Sequence, residues 1–165
     1  MKRRTVLKVG LAGGALLAAG GVAWRLRAPA APDAWRSDAQ PVLRAVAPAL
    51  LAGALPAEPA ARAQALDGAL ERTLATIEGL PPATRAELAE LFGLLNSAPG
   101  RWLAGVDAWD TAAPDTVAAF LQRWRTHTFD LFQVAYHALH DLVLGPYYAE
   151  PATWNAIGYP GPIAL

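Results

Sequence analysis

The run from Pro114 to Leu144, PDTVAAFLQRWRTHTFDLFQVAYHALHDLVL, decides the fold. Val117, Phe120, Leu121, Trp124, Thr128, Leu131, Phe132, Ala135, Leu139 and Leu142 recur at the three- and four-residue spacing of an amphipathic helix. Phe129, Tyr136, Val143 and Leu144 widen that stripe. So broad an apolar surface belongs to a helix buried on more than one side. The expectation is one long, central C-terminal helix. Pro114-Asp115 opens it, with Asp115 at the positive end of the dipole, and Gly145-Pro146 closes it.

Upstream, the chain reads as helices separated by proline. Ser37-Asp38 is a start signal before an apolar stretch from Val42 to Leu55. Pro41 suits a first turn, whereas Pro48 is expected to kink or split the helix. A second helix runs from after Pro59 to about Glu78, with Ala65, Leu66, Ala69, Leu70, Thr73, Leu74 and Ile77 on one face. A third covers about Pro82 to Asn96, with Leu88, Leu91, Phe92 and Leu95 as its stripe and Arg85, Glu87 and Glu90 facing out. Trp102, Leu103, Val106 and Trp109 predict a short, buried helical turn or two. Period-two runs are missing and β-branched residues are few. The expected class is therefore all-α, a small helical bundle with kinked and short helices. Its divisions are a leader over 1–32, either cleaved or retained as an anchor, a helical domain over 33–145 and an extended Pro/aromatic arm over 146–165.

The leader has a basic start, Met1 to Lys8, then an apolar stretch, Val9 to Ala23, diluted by five glycines, and a small-residue exit, Trp24 to Pro32. That order describes an export signal. Arg3-Arg4-Thr5-Val6-Leu7-Lys8 reads as its twin-arginine form, an address read by a receptor. Arg3, Arg4, Leu7 and Lys8 are the signal residues, and Ala28-Pro29-Ala30 is the best cleavage candidate. A spanning helix needs roughly 20 apolar residues. Lys8 and Arg25 bound a shorter interval. The twin-arginine route carries folded proteins, so the expected destination is the periplasm or the periplasmic face of the inner membrane.

The formal net charge of zero hides an asymmetry. All fourteen acidic residues follow the leader, and only eight of the fourteen basic residues do. A domain so acidic argues against nucleic acid, which rewards basic stripes. Cysteine is absent. That removes c-type haem attachment, iron–sulfur ligation and thiolate zinc sites from the chemistry this chain can host.

After Leu144 the chain changes character, reading Gly145-Pro-Tyr-Tyr-Ala-Glu-Pro-Ala-Thr-Trp-Asn-Ala-Ile-Gly-Tyr-Pro-Gly-Pro-Ile163. Proline and glycine oppose a long helix here, although Pro151 to Ala156 can form one turn. Tyr147, Tyr148, Trp154, Ile157, Tyr159 and Ile163 are too apolar to hang in water. Two readings stand side by side. The tail folds back over the bundle, or part of it lies on another protein, where Tyr and Trp are favoured.

A twin-arginine leader, a small helical domain and a closing Tyr-Tyr-x-x-Pro-x-x-Trp-x-x-Ile-Gly-Tyr-Pro-Gly-Pro resemble the small subunit of membrane-associated FAD-dependent sugar and alcohol dehydrogenases. This is the gluconate 2-dehydrogenase subunit 3 family with its sorbitol and glucose dehydrogenase relatives. The resemblance implies that Tyr147, Tyr148, Pro151, Trp154, Ile157, Gly158, Tyr159, Pro160, Gly161 and Pro162 bind a partner. It implies a large flavoprotein of the glucose–methanol–choline oxidoreductase type as that partner, and a cytochrome c subunit as a frequent third member. FAD would then belong to the large subunit, with no cofactor in this chain. The chain would be a non-enzymatic accessory that supplies the export signal to the twin-arginine translocase and stabilises or matures the flavoprotein.

The alternative is a stand-alone periplasmic binding or metal-handling protein that uses the histidines of the last helix. His137 and His140 are three apart, and Asp130, His137 and Asp141 fall along one stripe with His127 before them. The inward Glu-x-x-His pairs of di-iron bundles are missing, as is H-E-x-x-H. A polar face, caps or interface contacts explain these residues better, and His140 beside Tyr136 suits a buried, hydrogen-bonded pair. No G-x-S-x-G occurs. Asp107 and Asp110, flanked by Trp102 and Trp109, read as helix-start residues.

Overall fold

The structure, a computed structural model, describes residues 34–161. The leader with Arg3, Arg4, Leu7 and Lys8, and the end of the tail with Pro162 and Ile163, lie outside the described residues. The described chain is all-α. Its helices are α1 (Ala34–Leu50), α2 (Pro59–Glu78), α3 (Pro82–Asn96), α4 (Ala98–Ala104), α5 (Pro114–Arg125) and α6 (Asp130–Tyr148), followed by a 3₁₀-helix (Pro151–Ile157). No strand occurs among the described residues.

The central helix is α1, not the C-terminal one. It packs against α2, α3, α5 and α6. Trp35, Ala39, Val42, Leu43, Val46 and Ala47 along it are all buried, as is Leu51 in the turn that follows. Small alanines let neighbours approach, and each fully buried leucine such as Leu43 or Leu51 contributes about 1.5–3 kcal/mol. Pro41 and Pro48 both lie inside α1. Neither splits it, but the helix ends two residues after Pro48 and a turn follows. Its start precedes Ser37, at Ala34.

Helices α2 and α3 follow the expected bounds. In α2, Ala69, Leu70, Thr73, Leu74 and Ile77 are buried, and the Glu58 carboxylate accepts from the Ala60 and Ala61 N–H groups at its start. Those two bonds hold the Glu58 carboxyl below its usual value. In α3, Leu88, Phe92 and Leu95 are buried. The corner between α3 and α4 is closed by Gly100, where a Cβ would collide with the Leu94 carbonyl.

The expected long C-terminal helix is two helices. Thr126–Phe129 interrupts the apolar stripe, and local side chains take over the backbone's bonds there. The Thr126 hydroxyl donates to the Gln122 carbonyl at 3.1 Å, His127 Nδ1 accepts from the Phe129 N–H at 3.1 Å, and Gln133 Nε2 donates to the His127 carbonyl at 2.8 Å. Threonine is a poor interior helix former because such bonds compete with the ladder. Asp130 then opens α6 in its first turn, where the dipole favours an acid. Across the break the cores stay joined by a chain of edge-on and tilted rings: Trp109 to Phe120 at 5.7 Å, Phe120 to Trp124 at 4.5 Å and Trp124 to Phe132 at 5.4 Å.

Gly145-Pro146 does not end α6, which continues to Tyr148. A proline at 146 has no N–H for the Leu142 carbonyl. The hydroxyl of buried Thr73 in α2 donates to that carbonyl instead, at 3.0 Å. Arg72 Nε donates to the Pro146 carbonyl at 3.1 Å, where the helix runs out of partners of its own. Helix α2 thus supplies what the proline removes.

Candidate docking site

The tail begins inside α6. Tyr147 is buried and its hydroxyl donates to the Ala54 carbonyl at 2.8 Å, tying the end of α6 to the turn after α1. Burial pushes its phenol above the usual value; neighbouring Tyr148 adds to this and Arg72 opposes it. Tyr148 is half-buried and stands edge-on to Tyr147. The Arg72 guanidinium is 3.7 Å from the Glu150 carboxylate.

Beyond Glu150 the arm is a 3₁₀-helix rather than an extended segment. Pro151 starts it, since its fixed φ suits a first helical position. Trp154 Nε1 donates to the Tyr148 carbonyl at 2.8 Å. The Thr153 hydroxyl donates to the Glu150 carbonyl at 2.8 Å. Gly158 ends the turn at φ 70°, a left-handed value that a side chain resists. The chain then reverses, so that Tyr159 stands edge-on to Trp154 at 5.2 Å and Gly161 packs against the same indole.

The candidate partner-binding residues therefore divide. Tyr147, Tyr148, Trp154 and Gly161 hold the tail together and to α6. Pro151, Ile157, Gly158, Tyr159 and Pro160 are exposed. The first half of the tail packs back on α6, whereas Ile157 and Tyr159 in its last turn are exposed.

The histidines do not converge. His127 rests on Phe132 with ring centres 4.3 Å apart. His137 is exposed. His140 Nδ1 lies 2.8 Å from the Asp141 carboxylate, and its ring is 5.7 Å from Tyr136 without a hydrogen bond to it. Among the described residues, no group of three or more His, Asp or Glu side chains gathers to hold a metal. Asp107 and Asp110 are both exposed.

Four side chains read from the sequence as core lie on the surface. Trp102 is 81% exposed, Phe129 and Leu131 are each 68% exposed and Leu103 is 41% exposed. Val134, 64% exposed, joins Leu131 on the outer face of α6. The break at Thr126–Phe129 is the cause for α6, because it restarts the helical phase and turns Leu131 away from the side that Trp124 faces. The signal available in the sequence was Thr126-His127-Thr128 followed by Asp130, a run of helix-averse residues before an acid. For Trp102, the seven-residue α4 has one inner side, taken by Gly100 and Ala104. No described helix is long and apolar enough to cross a membrane.

No family model, no curated protein and no solved structure matches the chain.

Proposed function

We propose that this chain is the non-catalytic small subunit of an exported FAD-dependent sugar or alcohol dehydrogenase. It supplies the twin-arginine signal, docks on the large flavoprotein and stabilises or matures it. The carrying observation is the coexistence in one short chain of Arg3-Arg4 and the closing Tyr147-Tyr148…Pro151…Trp154…Ile157-Gly158-Tyr159-Pro160-Gly161-Pro162. The form of the tail supports this reading. Hydrogen bonds from Tyr147 and Trp154 fix its path before any partner arrives, and a pre-ordered segment loses less entropy on binding. Ile157 and Tyr159 then offer apolar and aromatic surface of the kind that anchors interfaces.

The test is to identify the gene beside this one and to produce the flavin oxidoreductase expected there with and without the small chain, measuring export, bound flavin and activity. The expected result is loss of all three without the small chain. Arg3→Lys with Arg4→Lys should leave both proteins in the cytoplasm, and Ile157→Ala with Tyr159→Ala should weaken the complex at least tenfold while the chain stays folded. A flavoprotein that is exported, flavin-loaded and active alone removes the proposal.

A further inference from the structure

The tetrapeptide Ala-Glu-Pro-Ala occurs twice, at 57–60 and at 149–152. In both places proline takes the first position of a helix and the glutamate before it is the N-cap. The backbones are nearly the same, with φ −72° and ψ 128° at Glu58 and φ −83° and ψ 116° at Glu150. The carboxylates have different partners. That of Glu58 accepts from the Ala60 and Ala61 N–H groups. That of Glu150 makes no cap bond, and the Thr153 N–H goes to the Glu150 backbone carbonyl at 3.0 Å. The Glu150 carboxylate turns to Arg72 of α2 instead, at 3.7 Å.

Arg72 reaches it by way of Gly68. Helix side chains lean toward the N-terminus, so Arg72 lies over the residue four before it. A Cβ at Gly68 would stand 3.2 Å from Arg72 Nη1. Glycine is unfavourable inside a helix, and here its bareness leaves the guanidinium a path. The same guanidinium donates from Nε to the Pro146 carbonyl at 3.1 Å. One planar group with several fixed donors thus meets the last turn of α6 and the first residue of the arm together. Among the described residues, the Arg72–Glu150 pair is the one polar contact between residues 150–161 and any helix other than α6. Glu150 is also the only charged side chain after Asp141.

We infer that Arg72 is the positioning residue of the docking arm, pinning the corner between α6 and the 3₁₀-helix to α2 in one orientation. An ion pair as exposed as this one adds little stability. Its effect is on direction. The 3₁₀-helix is bonded to the end of α6 through the Tyr147 and Tyr148 carbonyls. The second point, on α2, fixes its angle and so the direction in which Ile157 and Tyr159 are presented. An arm held at one angle loses less entropy on docking. The use of the clamp rests on the docking function proposed above, while the clamp itself is a property of the free chain.

The absence of cysteine lets two spin labels be placed on the purified full chain, at Glu87→Cys on α3 and Asn155→Cys on the arm, both exposed. The distance between them should fall in one narrow distribution. Arg72→Met keeps the stem and removes the donors; it should widen that distribution about twofold with an unchanged helical circular dichroism spectrum. Arg72→Lys should not restore the narrow width, because a single ammonium does not span both acceptors. Glu150→Gln, at an exposed site that leaves α2 intact, should widen it as well. Equal widths in wild type and Arg72→Met, equal widths in wild type and Glu150→Gln, or full rescue by Arg72→Lys would each overturn the inference. Against the flavoprotein, Arg72→Met should bind about fivefold more weakly than the wild type. Equal affinity would overturn the positioning role. A wild-type chain that does not bind the flavoprotein removes the proposed function instead, and the label widths still decide the clamp.

Discussion

The two halves of α6 have similar apolar content and opposite fates. In the C-terminal half, Leu139, Val143, Pro146 and Tyr147 are buried against α1 and α2. Thr73, Arg72 and Ala54 meet the polar atoms that remain there. In the N-terminal half, Leu131 and Val134 face water, as does Phe129 at the cap. The difference is one of partners rather than hydrophobicity. Helix α2 covers one side of α6, and no described element covers the outer side of its first turns. An apolar face left open costs nothing when a partner covers it, and it is an aggregation hazard otherwise.

The largest predicted effects follow from that contrast. Leu139 is fully buried, so Leu139→Ala removes a core side chain and leaves a cavity, for an expected loss of about 2–5 kcal/mol. Val134→Ala, one and a half turns away on the open face, should change stability by less than about 0.5 kcal/mol. Urea unfolding of the two variants checks this. A loss above about 1 kcal/mol for Val134→Ala would mean that the outer face is covered within the monomer.

A smaller effect tests how the buried half is tied down. Tyr147→Phe keeps the ring and removes the hydroxyl that reaches Ala54, an expected loss of about 1 kcal/mol. The pH dependence sharpens this. Burial raises the Tyr147 phenol above its usual value of 10.0. The folded state therefore holds this proton more tightly than the unfolded chain does. The stability linked to it is complete below about pH 10 and is lost as pH climbs through the folded value. The wild type should weaken above pH 10, and Tyr147→Phe should weaken less steeply. Parallel declines would show that this phenol is solvated.

These contrasts also mark where the sequence was legible. Helices α2 and α3 were readable because proline opens each one and a single face carries the leucines. The all-α class followed from the same spacing. The position of the core within α1 was hidden by its alanines, which look neutral in a sequence but let four neighbours approach. The end of α6 was misread because Pro146 is a stop signal only when nothing replaces its missing bond. Thr73, distant in sequence, replaces it. Of the candidate docking site, the tail's aromatic content was legible, but its division into anchors and exposed residues was not. That division depends on Trp154 reaching back to Tyr148 and on Tyr147 reaching Ala54, contacts that no local pattern encodes.

The smallest effect bears most directly on the open half. Phe129 is the N-cap of α6, at φ −91° and ψ 123°, and makes no side-chain cap bond. Its ring is largely exposed and touches only the edge of the local cluster, 5.4 Å from the His127 ring centre. Serine at this position suits the same backbone and supplies the missing acceptor for the first turn of the helix. Phe129→Ser should therefore stabilise the monomer by about 0.5–1 kcal/mol, after the loss of its contact with His127. Thermal unfolding of Phe129→Ser beside the wild type checks this. If stability falls instead, the Phe129 ring serves the fold of the Thr126–Phe129 break through its contact with His127.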